Sequence, residues 1–155
     1  MGREIERKFL VRGDAWRSLG QGKDYQQGFL STVKERVVRV RLVGDQATLT
    51  IKGVSAGISR LEFEYPIPGD EARVMLETLC ERPLIEKVRY RIPLGDLVWE
   101  VDEFRGENQG LILAEVELTD ENQSVALPSW VGEEVSSDPR YFNANLVRTP
   151  FSRWG

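Results

Sequence analysis

Histidine is absent from the 155 residues of this chain. Its absence excludes Ser-His-Asp triads, Cys-His pairs, His-ligated zinc and imidazole general bases. The single cysteine, Cys80, permits neither an internal disulfide nor a cysteine metal cage. Any catalysis must therefore use carboxylates, lysine, arginine, tyrosine or a metal ion with oxygen ligands.

Long apolar runs are also missing, and no basic start leads into an apolar signal region. We therefore expect a cytoplasmic protein without a membrane partner, folded as a single domain over 1–155. The net charge of −4 argues against a general nucleic-acid surface. Most basic residues are arginines, however, and the planar guanidinium group suits phosphate oxygens, so local phosphate binding remains open.

Charged and apolar side chains alternate along most of the chain, beginning with Glu4-Ile5-Glu6-Arg7-Lys8-Phe9. Alternation with a period of two is typical of strands, because successive side chains point to opposite faces. We predict strands at 4–11, 24–31, 36–43, 46–53, 58–67, 84–92, 97–105 and 111–119. Short links such as Gly44-Asp45 and Gly95-Asp96 make neighbouring strands antiparallel.

Helices are predicted only between and after these strands. A short helix is expected at 14–19, and a better one at 70–79, with Asp70 as its N-cap. Asp138-Pro139 is typical of a helix start and predicts a short helix through 146. Another helix is expected at 120–127.

Almost every predicted strand has one aliphatic and one charged face, which predicts an α+β fold that is mainly β. An eight-stranded antiparallel closed barrel with a wet, charged lumen and helices packed outside satisfies both faces and leaves no open edge. A sheet whose charged face lies in bulk solvent satisfies the same pattern. Periodicity alone leaves both architectures open.

In the barrel, seven basic side chains would converge on one cavity. Neighbours on one face of a strand lie roughly 6.5–7 Å apart, so like charges at that spacing need counter-charge. Glu62 and Glu64 supply part of it, and the remainder predicts a ligand of high negative charge density, such as a chain of phosphates. The alternative is that each base pairs with a carboxylate on the next strand, a contact worth little on a surface. The seven are Lys8, Arg39, Arg41, Lys52, Arg60, Lys87 and Arg89.

Two pairs of glutamates, Glu4 with Glu6 and Glu115 with Glu117, have the spacing of neighbours on one strand face. Carboxylates alone suit hard cations such as Mg²⁺ or Mn²⁺. Crowded together without a cation, they would repel one another and take up protons. A cation site beside a basic cradle is the arrangement that metal-assisted phosphoryl transfer needs.

These residues resemble a known family. Glu4-Ile5-Glu6-Arg7-Lys8 is similar to the ExExK signature of the CYTH superfamily, the triphosphate tunnel metalloenzymes. The resemblance continues over essentially the whole chain, and the ordered series is more specific than ExExK alone. Its further segments are Arg39-Val40-Arg41, Thr50-Ile51-Lys52, Ser59-Arg60-Leu61-Glu62-Phe63-Glu64, Glu86-Lys87-Val88-Arg89, Glu100-Val101-Asp102-Glu103-Phe104, Glu115-Val116-Glu117, Gly132-Glu133-Glu134-Val135 and Arg140-Tyr141-Phe142-Asn143.

The resemblance implies a tunnel that binds a triphosphate and a divalent metal, Mg²⁺ or Mn²⁺. The metal would be held by Glu4, Glu6, Glu115 and Glu117. The phosphates would be bound by Lys8, Arg39, Arg41, Lys52, Arg60, Lys87, Arg89 and, from the C-terminal segment, Arg140, which is as readily a surface arginine. The expected catalytic residues are Glu4, Glu6, Lys8, Lys52 and Lys87, supported by Glu62, Glu64 and Asp102.

The chain departs from many relatives at Phe29, where they carry a tyrosine. A phenol at that position is therefore not available to place water or substrate, and metal-activated water steered by a carboxylate or a lysine is favoured. We expect hydrolysis of inorganic tripolyphosphate to pyrophosphate and phosphate by a monomer or homodimer that binds no nucleic acid. The alternatives are a class IV adenylyl cyclase, a thiamine or nucleoside triphosphatase, a non-catalytic polyphosphate-binding module, and a solvated β-domain without a specific site.

Overall fold

The computed structural model describes residues 2–154 and consists mainly of antiparallel strands. The strands are β1 (Arg3–Val11), β2 (Gly22–Ser31), β3 (Val37–Val43), β4 (Gln46–Lys52), β5 (Ser59–Ile67), β6 (Ile85–Leu94), β7 (Leu97–Phe104), β8 (Ile112–Glu117) and β9 (Val131–Glu134). The α-helices are α1 (Gly69–Thr78) and α2 (Asn143–Arg148). Short 3₁₀ helices lie at Ala15–Ser18, Gly106–Asn108, Pro139–Tyr141 and Phe151–Arg153.

Strands β1 to β8 close into a barrel. The hydrogen-bonded order runs β5-β4-β3-β2-β6-β7-β8-β1, and β1 returns to β5. The closing strand β1 places Glu4 opposite Arg60 of β5 and Lys8 opposite Glu115 of β8. The predicted eight-stranded barrel is therefore confirmed, and the eight predicted strands differ from the observed ones by at most two residues at either end.

Two of the tight links depend on glycine. Gly44 between β3 and β4 has φ 59°, and Gly95 between β6 and β7 has φ 62°. A residue with a Cβ rarely adopts this left-handed conformation, whereas glycine does so without steric cost. The links thus fix both hairpins, and with them the register that puts Arg39 opposite Thr50 and Arg89 opposite Asp102.

The aliphatic faces of the strands lie outside the barrel, where other segments cover them. Ala72 and Leu76 of α1 pack on Val40 and Leu42 of β3. A second outer cluster contains Trp99, and the ring of Trp130 lies edge-on to it at a centroid distance of 5.7 Å. The apolar interior of this protein is therefore a coat around the barrel, and the lumen is left to the charged faces.

One end of the lumen is an exception. Phe29 lies opposite Arg39, and Phe104 lies opposite Lys87, so both rings share the inward face of the sheet. They form one buried cluster with Leu146 and Val147 of α2. Helix α2 thus covers part of the barrel end at which β2 and β7 finish, which the alternation of charges did not predict.

The helix predictions are only partly confirmed. Helix α1 begins after Pro68, and the Asp70 carboxylate does not cap it but accepts from the neighbouring Glu71 N–H at 2.9 Å. The helix predicted at 138–146 is split at Phe142, whose extended backbone (φ −72°, ψ 132°) separates the 3₁₀ turn from α2. The turn predicted at 14–19 is the 3₁₀ helix Ala15–Ser18.

The helix predicted at 120–127 is wrong. The Asp120 side chain accepts from the Asn122 N–H at 2.7 Å, and the Gln123 side chain accepts from the Thr119 N–H at 2.8 Å. Such local side-chain bonds replace the backbone bonds that a helix would form, and Pro128 disfavours a helix immediately before it. Strand β9 follows and adds to β1 outside the closed barrel; its four residues carry too short a pattern to be predicted.

Within residues 2–154, no helix combines the length and apolarity that a membrane crossing requires.

The cluster under α2 should contribute strongly to stability. Leu146 is fully buried in it, and shortening a buried leucine to alanine costs about 2–5 kcal/mol through lost burial and the cavity left behind. We expect Leu146→Ala to lower the free energy of unfolding in urea by about that amount. Leu127→Ala, at a half-exposed site, is the control and should change it by about 0.5 kcal/mol or less. Equal effects of the two substitutions would contradict the assignment of α2 to the core.

Candidate functional site

The charged faces of the strands enclose a cavity of about 930 Å³. It is reached from the end where the β2–β3 and β4–β5 loops lie, since Thr32–Glu35 and Val54–Ile58 contribute to its wall. Among the residues that line it are the following predicted ones: Glu4, Glu6, Lys8, Arg39, Arg41, Lys52, Arg60, Glu62, Glu64, Lys87, Arg89, Glu115 and Glu117. The strand register thus brings together nearly the whole predicted set.

Asp102 lies beneath the cavity wall and neutralises two of its cations. Its carboxylate is 2.7 Å from Lys87 Nζ and 2.7 Å from Arg89 Nε, and all three side chains are buried. Burial by itself would raise the pKa of Asp102, but the charges of Arg89 and Lys87 outweigh it and hold that pKa below its ordinary value. Asp102 is therefore an anion that fixes the positions of Lys87 and Arg89.

The ammonium group of Lys87 is more acidic than that of an ordinary lysine. Burial lowers the pKa of Lys87 to about 7, because the low-dielectric surroundings disfavour an ammonium ion more strongly than Asp102 favours it. The like charge of Arg89 acts in the same direction as burial. Near neutral pH, this amine can bind an anion as a cation or accept a proton as a base.

Arg39 and Arg41 of β3 lie on the same side of the barrel as Lys87 and Arg89 of β6, since both strands flank β2. We call these four residues the basic wall. Burial, with the like charges of Arg39 and Arg89, lowers the pKa of Arg41 to about 9. The Arg39 side chain bonds Thr50 Oγ1 through Nη2 at 3.1 Å, yet its buried Nε–H has no partner among residues 2–154. A buried donor without an acceptor is costly, and an anion in the cavity is the kind of ligand that would satisfy it.

Two carboxylates of opposite character meet on the facing wall. Glu115 lies 2.8 Å from Arg89 and 3.5 Å from Lys8. Burial would raise the pKa of Glu115, but Lys8 and Arg89 hold it well below its ordinary value. Burial and the charges of Glu115 and Glu4 instead raise the pKa of Glu6 well above its ordinary value. Burial and the two neighbouring carboxylates thus favour the protonated form of Glu6, whereas the neighbouring cations favour the charged form of Glu115.

A second group of acids surrounds Lys52. Its Nζ lies 2.9 Å from Glu4 and 3.3 Å from Glu62. Burial and the neighbouring Glu4 raise the pKa of both Glu62 and Glu117. One ammonium group is thus shared among more carboxylates than it can neutralise, so this side of the cavity lacks positive charge.

These acids fit a divalent cation in chemistry and charge. All their donor atoms are carboxylate oxygens, which Mg²⁺ and Mn²⁺ prefer, and the raised pKa of Glu6, Glu62 and Glu117 marks the missing positive charge. Across residues 2–154, however, no three acidic side chains already converge as a metal cage. Lys52, Lys8 and Arg89 occupy carboxylate oxygens that a metal would use.

Arg140 is the predicted residue that the structure places elsewhere. Its guanidinium group is exposed, lies 2.8 Å from Asp138 and stacks 5.1 Å from the ring of Trp154. Asp138 begins the 3₁₀ turn and holds Arg140 on the outer surface, so this arginine is not among the residues that line the cavity.

Several lining residues were not predicted. Glu100 lies 3.2 Å from Arg89 on the same strand face as Asp102, so its alternation with Asp102 was the signal that could have identified it. Gln27, buried beside the basic wall, bonds Arg41, and Asn143 lines the cavity from α2. Neither amide carries charge, and no periodic pattern marks them in the sequence.

Comparison with known proteins agrees with this geometry. The family model described as the CYTH domain matches residues 2–150. An inorganic triphosphatase of Acetivibrio thermocellus is 54% identical over 154 residues, 99% of each chain. An inorganic triphosphatase of Nitrosomonas europaea is 38% identical over 93% of this chain and 96% of that protein. A crystal structure of an inorganic triphosphatase superposes with a TM-score of 0.63 at 32% identity, covering 93% of each chain.

The opposite pKa shifts of Glu6 and Glu115 predict opposite effects of removing their charges. Glutamine at position 6 resembles the protonated acid, so in EDTA at pH 7.5 Glu6→Gln should raise the free energy of unfolding, on the order of 1 kcal/mol. Glu115→Gln should lower it by about 3 kcal/mol, because Lys8 and Arg89 lose their buried partner. Urea unfolding of the two variants measures both values.

The effects of these two substitutions on the free energy of unfolding should depend on pH. The raised pKa of Glu6 costs the wild type stability as pH rises above the ordinary glutamate value, so the gain from Glu6→Gln should vanish near pH 4. The depressed pKa of Glu115 contributes stability that is present above the ordinary value and is lost as pH falls below it. If Glu6→Gln and Glu115→Gln changed the free energy of unfolding in the same direction at pH 7.5, the opposite pKa shifts of the two residues would be refuted.

Proposed function

The chain belongs to the CYTH domain family, and we propose that it hydrolyses inorganic tripolyphosphate to pyrophosphate and orthophosphate with the help of a divalent cation. The observation that carries the proposal is the closed lumen, in which a basic wall faces a surplus of carboxylates. The 54% identity to an inorganic triphosphatase over 99% of both chains supports the same activity.

The basic wall binds the phosphate chain. Arg39, Arg41 and Lys87 present donors to non-bridging oxygens, and Lys8, Lys52, Arg60 and Arg89 complete the cradle. The Lys8 ammonium is held by the Tyr141 carbonyl at 3.0 Å, and Arg60 by the Gly53 carbonyl at 2.8 Å. Because these groups are fixed before substrate arrives, they stabilise charge that develops during transfer without reorganising.

The acidic wall holds the cation. Glu4, Glu6, Glu115 and Glu117 are its ligands, and Mg²⁺ or Mn²⁺ is the metal that their oxygens favour. The chemistry that a divalent cation supplies when bound is to polarise the scissile phosphoryl group and to activate the attacking water. Glu62 beside Lys52, and Glu64 at 3.6 Å from Arg39, keep these bases in place.

Position 29 supplies no phenol for proton transfer. Phe29 is buried among apolar side chains, so it packs the end of the lumen and contributes no hydroxyl group. The attacking water, activated by the cation, would then be steered by a carboxylate or a lysine of the cavity lining.

Selectivity for an inorganic chain follows from the aromatic residues. Trp16, Trp99 and Trp130 are buried in the outer coat, away from the charged register. None of the tryptophans in residues 2–154 lines the cavity. The aromatic residues in that range that do line it are Phe29, which is packed into a buried cluster, and Phe142, whose ring lies beside the Lys8 ammonium group. A nucleotide-binding site would gain from a free aromatic platform for the base. Turnover of ATP should therefore be slower than turnover of tripolyphosphate, and cyclic AMP should not form.

Three further expectations stay predictions. They are a cytoplasmic location, a monomeric or homodimeric state, and the lack of a nucleic-acid or membrane partner.

A substrate panel tests the activity directly. Purified protein with Mg²⁺ or Mn²⁺ should release phosphate from tripolyphosphate faster than from thiamine triphosphate or ATP, and EDTA should abolish release. Glu4→Gln should reduce kcat by about a hundredfold or more, because one ligand and the partner of Lys52 are lost. Glu77→Gln, on the exposed face of α1, is the matched control and should retain wild-type rates. Undiminished turnover by Glu4→Gln, or cyclic AMP from ATP, would sink the proposal.

A further inference from the structure

Helix α2 lines the cavity with polar side chains that include Asn143, Asn145 and Arg148. Asn143, its first residue, accepts hydrogen bonds at Oδ1 from Lys87 Nζ at 3.1 Å and from Gln27 Nε2 at 3.2 Å. Gln27 is fully buried, and its own Oε1 accepts from Arg41 Nε at 2.8 Å. An amide chain thus runs from Arg41 through Gln27 and Asn143 to Lys87.

The chemistry of this chain fixes which way each amide faces. A guanidinium group only donates hydrogen bonds, so Gln27 must present its oxygen to Arg41. Its NH₂ group must then donate to Asn143, which has to present its own oxygen. The ammonium group of Lys87 makes the same demand on Asn143, because it too has only donors. Rotating Asn143 would oppose donors to donors at both of its partners. Rotating Gln27 would oppose a donor to the Arg41 donor and an acceptor to the Asn143 oxygen, so the orientation follows from the partners.

The NH₂ group of Asn143 is consequently turned away from Lys87 and Gln27, on a residue that lines the cavity. Nothing within residues 2–154 accepts a hydrogen bond from its Nδ2. Asn145, two residues along the same helix, differs: its Nδ2 donates to the Pro139 carbonyl at 2.8 Å. Asn143 therefore offers two unused N–H donors beside the labile ammonium group of the basic wall.

We propose that Asn143 is a substrate-binding residue whose Nδ2 donates to a non-bridging oxygen of the phosphate group held at Lys87. The proposal rests on the proposed function for the identity of the anion. It gives the C-terminal segment a direct part in the site: α2 both covers the barrel end and supplies a neutral donor that complements the charged ones. A neutral amide strengthens anion binding there without adding to the repulsion among Lys87, Arg89 and Arg41.

Three variants separate donation to substrate from positioning of Lys87. Asn143→Ala removes both roles and should raise KM for tripolyphosphate about tenfold or more, the effect expected for a hydrogen bond to a charged group. Asn143→Asp keeps the oxygen that Lys87 and Gln27 need but has no N–H donor. It should bind tripolyphosphate at least as poorly as Asn143→Ala. Asn145 also lines the cavity, but its Nδ2 is already bonded to the Pro139 carbonyl. Asn145→Asp therefore adds the same charge to the same helix without removing a free donor and controls for repulsion; it should raise KM much less.

A spectroscopic readout reports on the amide itself. The side-chain ¹⁵N resonance of Asn143, assigned by its loss in Asn143→Ala, should shift when tripolyphosphate is added in EDTA, which halts turnover. The Asn145 resonance should move little. Recovery of wild-type KM by Asn143→Asp would show a positioning role only and overturn the proposal. So would an unmoved Asn143 resonance at tripolyphosphate concentrations that shift backbone amides of the lumen strands.

The outcomes keep this inference distinct from the proposed function. A wild-type protein that hydrolyses tripolyphosphate, with Asn143 variants indistinguishable from it, contradicts the role of Asn143 alone. A wild-type protein that releases no phosphate contradicts the hydrolytic function. In that case the side-chain resonance still decides whether Asn143 binds the anion.

Discussion

Mutual neutralisation of buried charges is the constraint on which this structure depends. Lys87, Arg89 and Asp102 lie on the inner face of a closed sheet, where each would be strongly unfavourable alone. Asp102 compensates the two cations at 2.7 Å, and Glu115 continues the network toward Lys8. The compensation is incomplete: within residues 2–154 a buried donor of Arg39 has no partner, and burial beside Glu115 and Glu4 raises the pKa of Glu6. These residual imbalances are opposite in sign on opposite walls, which is what a polyanion with its cation would correct.

The barrel tolerates these buried charges because the apolar side chains that stabilise the fold lie mostly on its outer face. Trp99 and Val101 of β7, and Val40 of β3, pack outward against helices and loops, so burial of apolar surface stabilises the fold without entering the lumen. Only at the end covered by α2 do apolar side chains turn inward. There they cover part of the barrel end and bring Asn143 against Lys87. Packing and chemistry therefore meet at α2, and the helix belongs to both.

The alternation of charge predicted most of this fold because its period matches the strand and because both faces carried a clear signal. The same alternation identified the lining residues from Glu4 to Glu117, because all of them lie on the charged face of their strands and that face points into the lumen. It could not predict β9 or the irregular segment 120–127, whose short patterns are decided by tertiary pairing and local side-chain bonds. The alternation also could not predict that Asn143 lines the cavity whereas Arg140, three residues earlier, does not. This difference depends on the break in helical structure at Phe142, which lies between them.

The most direct test of the central claim is a crystal structure of the protein with Mn²⁺ and imidotriphosphate, an analogue of tripolyphosphate with nitrogen in place of the bridging oxygens. Anomalous scattering locates the metal without reference to the model of the protein. The account predicts manganese among Glu4, Glu6, Glu115 and Glu117, with the phosphate groups against Arg39, Arg41 and Lys87. Manganese or the phosphate chain bound on the outer surface, with an empty lumen, would contradict it.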